Sequence, residues 1–111
     1  MSLSIYLIAK EDIDKDNFDE LYSTNITHNL TEMAKECDLY FALWHSQNIN
    51  TASDLIPKLD AGIAELLDNP AYYKAFDDKN DWGTYLQFVP WLIKLRTACK
   101  KYSNSIVKIS K

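Results

Sequence analysis

Two short segments hold the side chains whose types and spacing could do chemistry. The first runs from Thr24 to Asn29, where Asn25, Thr27, His28 and Asn29 give amide, hydroxyl and imidazole groups within five residues. His28 is the one group there that titrates near neutrality, so it is the natural base, and the others are neutral hydrogen-bonding groups. In an extended chain Asn25, Thr27 and Asn29 face one way and His28 the other. At a helix start, Thr27 or Asn29 is instead a cap, which is the ordinary structural account of such a run.

The second segment is Asn80 to Tyr85, with Trp82, Gly83, Thr84 and Tyr85 at the start of an expected long helix. A helix start offers amide N–H groups to an anion, and Gly83 removes bulk beside them. Trp82 and Tyr85 could stack on a planar ring. The ordinary account is a capped helix with two core aromatics. A single Gly is far short of a phosphate-binding signature.

Other constellations are weaker. Asp12, Asp14 and Asp16 imitate the first ligands of a calcium loop, but Asn17 and Ser23 stand where it needs Gly and Glu. Cys37 could pair with His28 or His45 as a nucleophile, yet it falls on an apolar helical stripe, where a buried structural thiol is expected. Cys37 and Cys99 lie 62 positions apart without a CxxC pair, so no zinc site is expected. No metal, cofactor or catalytic residue is assigned, and the inventory is thin for an enzyme.

The elements that must position these segments follow from periodicity. Residues 4–9 read as a strand, 18–22 as a weaker one, and 105–110 as a terminal strand that pairs with 4–9. Leu30, Met33, Ala34 and Cys37 have helical spacing, Asp38 interrupts it, and 39–44 forms a second short helix. Ser53 is read as the cap of a helix over 54–68, with Pro57 in its first turn and Leu55, Ile56, Leu59, Ile63, Leu66 and Leu67 as its stripe. Gly62 on that stripe suggests a close backbone crossing. Residues 71–76 give one or two helical turns. A central helix spans 84–102, and Pro90 predicts a kink or a late start. The expected fold is α+β: one mostly helical domain over 1–111, with a small sheet pairing the N- and C-terminal strands.

Length and composition bound the rest. The 111 residues make one domain, and 14 aromatics (three Trp, seven Tyr, four Phe) can fill its core without a staple. The net charge of −4 gives no overall attraction to nucleic acid or anionic membrane. Six acids lie within 10–20, whereas 94–111 holds six bases (Lys94, Arg96, Lys100, Lys101, Lys108, Lys111) and no acid. These ends either screen each other or leave a basic patch for an anion. The aromatics fall mostly on core faces, so direct nucleic-acid binding is not expected. The first residues have no basic n-region and are too short to span a bilayer, so a cytoplasmic protein with reduced thiols is expected.

The run Asn25 to Asn29 followed by Met33 and Ala34, the stretch Tyr40 to Trp44, and Asp54 to Gly62 together resemble a family of small phage and bacterial proteins of no settled activity. Pro70 to Phe76, Trp82 to Tyr85, Ala98 with Cys99 and the terminal strand continue the resemblance from Asn25 onward. The acidic 10–20 stretch does not match it, Pro90 departs from its uninterrupted helix, and Asp81 stands where a Gly is expected. The resemblance implies that Asn25, Thr27, His28, Asn29, Trp82, Gly83 and Tyr85 are its recurring polar and aromatic positions.

The expected function is a small cytoplasmic binding module, in the host cytoplasm if phage-encoded. It would hold a compact, nucleotide-like or phosphorylated ligand or sequester a signalling molecule. Asn25, Thr27, His28 and Asn29 would hydrogen-bond the ligand, Trp82 and Tyr85 would stack on it, and the Gly83–Thr84 backbone would receive an anionic group. An alternative is a protein that binds a host or phage partner through an aromatic face of Tyr40, Phe41, Trp44, Tyr72 and Tyr73. A further alternative is a small hydrolase or lyase with His28 as base.

Overall fold

The computed structural model describes residues 2–10, 20–45 and 49–111. Strand β1 (Ser2–Ile8) is central, flanked by β2 (Glu20–Thr27) and β3 (Ile106–Ser110), both antiparallel to it. The register sets Ser4 opposite Asn25 and Ser110, and Ile5 opposite Thr24 and Ile109. The chain's two ends therefore pair as the sequence predicts. The second strand is longer than 18–22 suggests, because it absorbs most of the polar run through Thr27. The calcium-loop imitation at Asp12, Asp14 and Asp16 lies outside the described residues.

Side chains alternate across a strand. Leu3, Ile5 and Leu7 on β1 are fully buried, while Ser4 and Tyr6 between them are only half-buried. On β2, Leu21, Ser23 and Asn25 are exposed, and Tyr22, Thr24 and Ile26 turn inward. One sheet face thus meets the helices and the other meets solvent.

After β2 a short 3₁₀ turn (His28–Leu30) leads into α1 (Thr31–Glu36) and α2 (Tyr40–Leu43). Asp38 separates these helices at φ 63°, a left-handed conformation that ends the first of them. Helix α3 (Ala52–Asp68), the short α4 (Pro70–Lys74) and α5 (Tyr85–Lys101) complete the layer. Leu55, Leu59, Ile63 and Leu66 of α3 and Phe88, Leu92, Leu95 and Cys99 of α5 join β1 in one core. Leu67 departs from the expected stripe and stays half-exposed. Among the described residues no helix is long and apolar enough to cross a membrane.

The two long helices begin alike. Thr51, not Ser53, caps α3, and Asp54 completes a capping box by accepting from the Thr51 and Asn50 amides at 3.0 and 3.1 Å. Those bonds hold the Asp54 carboxyl below its usual range. The next two amides donate to the turn before β3: Ala52 to Ser105 O and Ser53 to Ser103 O. Thr84 and Gln87 make the matching box on α5.

Pro57 and Pro90 each stand at the sixth helical residue, so Pro57 lies beyond the first turn. Each removes one i→i−4 bond, to the carbonyl of Ser53 or Leu86. Both of those residues are exposed, so water can satisfy the carbonyls, and α5 continues through Pro90 without a break. At Gly62 the close neighbour is a side chain rather than backbone. A Cβ there would stand 2.5 Å from Leu39 Cδ1, and Leu39 is fully buried.

Cys37 and Cys99 are free and buried. Burial pushes each thiol from its ordinary 9.0 up to about 12. It also raises the Tyr73 phenol, which donates to the Glu65 carboxylate. An acid whose pKa is raised by folding keeps its contribution below the unfolded pKa and loses it above. Stability is therefore expected to fall as pH rises from about 9 toward 12. At about pH 8 iodoacetamide is expected to label neither thiol in the native protein and both in denaturant, read by mass spectrometry. Rapid native labelling of Cys37 would contradict this burial.

Candidate functional site

The fold brings the two polar segments together. The Asn29 side-chain amide donates to the Trp82 carbonyl at 2.8 Å. Gly83 lies directly against the end of β2: a Cβ on it would stand 3.0 Å from both Asn29 Cβ and Thr27 Cγ2. Gly83 also takes φ 117°, which L side chains rarely adopt, so close approach and backbone conformation both require glycine. Asp81 sits at φ 57°, where the resemblance expects a Gly, and Asp tolerates this region better than most residues.

Most of the expected ligand-binding groups already have partners within the chain. Beside them Thr24, for which no ligand role is expected, accepts through Oγ1 from Trp91 Nε1 at 2.8 Å. Thr27 Oγ1 accepts from the Asn29 amide and caps the 3₁₀ turn. His28 Nδ1 accepts from Trp44 Nε1 at 2.8 Å. An indole N–H is only a donor, so this bond requires a neutral ring with its proton on Nε2. In that tautomer the remaining nitrogen is a donor, which does not suit His28 to act as a base through Nε2. Asn25 is on the solvent face of β2, away from α5, and its side chain has no hydrogen bond among the described residues.

The start of α5 is filled in the same way. Gln87 Oε1 accepts from the Gly83 amide at 2.9 Å and from the Thr84 amide at 3.1 Å. The Tyr85 amide donates to Asp77 Oδ1 at 2.7 Å. The backbone expected to receive an anion is therefore occupied by side chains of the chain itself. Tyr85 is buried, and its hydroxyl donates to Leu66 O, so its ring belongs to the core rather than to an open stacking surface. Cys37 is buried with its thiol on Ala34 O, and His45 bonds the Tyr40 hydroxyl, so neither histidine is paired with the thiol.

What stays open is a cleft of about 420 Å³ between the end of β2 and the start of α5, lined by Ile26, Thr27, Asp81, Trp82, Gln87 and Trp91. Trp82 is 69% exposed, so its ring can receive a planar group without rearranging the core. Among the described residues that line the cleft, Asp81 supplies the one carboxylate and there is no cation. Sequence reasoning assigned Thr27 and Trp82 but missed Gln87, Asp81 and Trp91. Gln87 was legible as the fourth residue of a Thr-x-x-Gln capping box. Trp91 carried no comparable signal.

The five-residue aromatic face divides. Trp44 and Tyr73 are core residues, whereas Phe41 and Tyr72 are about half-exposed, and Tyr40 lies between. No family model matches the chain, and neither a curated protein nor a solved structure matches it.

His28→Ala leaves the buried indole N–H of Trp44 unpaired and is expected to cost about 1–3 kcal/mol in urea unfolding. In a Trp44→Phe background the same change should cost clearly less. Equal costs in both backgrounds would mean that the bond contributes nothing. Gly83→Ala must strain the backbone and displace Thr27 or Asn29, and is expected to lower stability by about 1–3 kcal/mol. A neutral result would show that this contact gives way easily.

Proposed function

We propose that the protein is a small cytoplasmic binding module whose ligand is a compact planar molecule held in the cleft under Trp82. The exposure of Trp82 carries this reading. The 69% exposed indole lines a cleft with a second tryptophan and a polar rim, which sets an open stacking face beside hydrogen-bonding groups. Trp82 stacks on the ring, Trp91 and Ile26 give the apolar wall, and Asp81 and Thr27 offer polar atoms at the edge. With Asp81 as the cleft's charge and Gln87 covering the Gly83 and Thr84 amides, a neutral or weakly cationic heteroaromatic fits better than a phosphorylated one. The resemblance to phage and bacterial proteins supports a sequestering role for such a module, in a host cytoplasm. Binding is favoured over catalysis because His28 is committed to Trp44.

The test is a thermal-shift screen of nucleobases, nucleosides and cyclic nucleotides, repeated on Trp82→Ala. A ligand at about 100 times its dissociation constant adds about 2.7 kcal/mol, which is several degrees for a domain of this size. The expected result is a saturable shift with at least one heteroaromatic that Trp82→Ala abolishes without changing the unliganded Tm. A hit indifferent to Trp82→Ala would place the ligand elsewhere. A flat response across the panel would remove the reading.

A further inference from the structure

A sheet edge is a row of unpaired N–H and C=O groups, which proteins normally cover or protect. The two edges of this sheet differ. On β3 the Val107 amide donates to Asn50 O, and Thr51 bridges Ile106, so the segment before α3 covers that side. On β2, among the described residues, no backbone group from Leu21 to Ile26 bonds anything outside β1. The one charge on β2 is Glu20 at its start, and the run Leu21–Thr27 beyond it has neither charge nor proline, the usual edge protections.

Helix α5 lies along the inner face of β2 and runs in the opposite sense. Trp91 reaches Thr24, Gln87 lies near Thr27, and Lys101 lies near Leu21. Since β1 fills one flank of this seam, the seam opens on the outer edge of β2, which no described residue pairs with. Two hollows mark it. The cleft under Trp82 is at the Thr27 end and has Asp81 on its rim. The other, about 360 Å³, is at the Leu21 end and is lined by Tyr22, Ile93 and Ala98, with Lys94 and Lys101 on its rim. Neither lysine meets a carboxylate among the described residues.

We propose that β2 pairs antiparallel with β2 of a second copy, about a two-fold axis through Thr24, so that two three-stranded sheets become one of six strands. An axis perpendicular to the sheet keeps both helical layers on one side. Opposed residues must then share a face, so the axis passes through a residue rather than between two. Thr24 is the centre of the uncharged run. Centring there sets Tyr22 opposite Ile26 on the helix side and Ser23 opposite Asn25 on the solvent side. Apolar meets apolar, and polar meets polar. The same rotation brings the Asp81 end of one seam to the Lys94 and Lys101 end of the other. Charges of opposite sign at the two ends of one strand are self-complementary under this symmetry. A groove for a foreign acidic or basic strand would have a single sign. The proposal does not depend on the ligand reading above.

Sedimentation equilibrium of the full chain tests it. The expected mass is twice the 12.8 kDa of one chain. Ser23→Lys with Asn25→Lys sets like charges opposite each other across the axis, and the expected result is a monomer with an unchanged far-UV spectrum. Ser23→Lys with Asn25→Glu sets opposite charges there, and this variant is expected to stay dimeric. A monomeric wild type, a dimer that survives the two lysines, or dissociation of both variants would overturn the proposal.

Discussion

A tryptophan taken out of water must find an acceptor for its indole N–H, and here two of the three tryptophans find theirs in one short stretch of chain. Trp91 comes from α5 and donates to Thr24, and Trp44 comes from the end of α2 and donates to His28. Asn29 adds a third tie, to the Trp82 carbonyl. An unpaired buried donor costs about 1–3 kcal/mol, so each of these acceptors is hard to replace by an apolar residue. The three bonds fix the β2 end of the chain against α2, α5 and the loop before α5. Among the described residues no buried side-chain nitrogen or oxygen lacks a partner.

This constraint reassigns the polar run. Its crowding of hydroxyl, amide and imidazole groups looks like a recognition surface because ligands and proteins ask for the same chemistry. Here the partners are mainly the chain's own. The same holds at the start of α5, where one glutamine side chain takes both amides that a phosphate would want. What remains for an outside molecule is whatever internal bonding does not consume: the Trp82 ring, the Asp81 carboxylate and the wall made by Trp91 and Ile26.

Legibility in the sequence followed the range of the interactions. The strands at the two ends, the helix boundaries at Thr84 and Tyr102, and the break at Asp38 were readable because alternation, caps and breakers act within a few residues. The cap of α3 is Thr51 rather than Ser53, because the Thr51-x-x-Asp54 box satisfies two amides reciprocally, which a lone serine before an apolar run does not. The length of β2 was underestimated because its solvent-facing residues, Ser23 and Asn25, are those of a loop, and only pairing with β1 reveals them as strand. The two candidate segments were expected to share one pocket on the chemistry of their side chains, but the contacts that join them were not legible. Asn29 and Trp82 are 53 positions apart, and Thr24 and Trp91 are 67 apart, and no local pattern encodes such a distance.

The unequal treatment of the two sheet edges follows from the same bonds. β3 has only five residues and no side-chain bond from its inner face to a helix among those described, so the backbone of Asn50 and Thr51 helps to hold it. β2 is held from its inner face by Trp91 on Thr24 and from its end by Asn29 on Trp82, so its position needs no neighbour on the outer side. A strand fixed by its side chains can leave its backbone edge unpaired without losing its register. Among the described residues, that freedom leaves one side of the molecule, from Trp82 to Lys101, with an open hydrogen-bonding edge beside two hollows. Recognition, of a ligand or of a second copy, has the most surface to work with there.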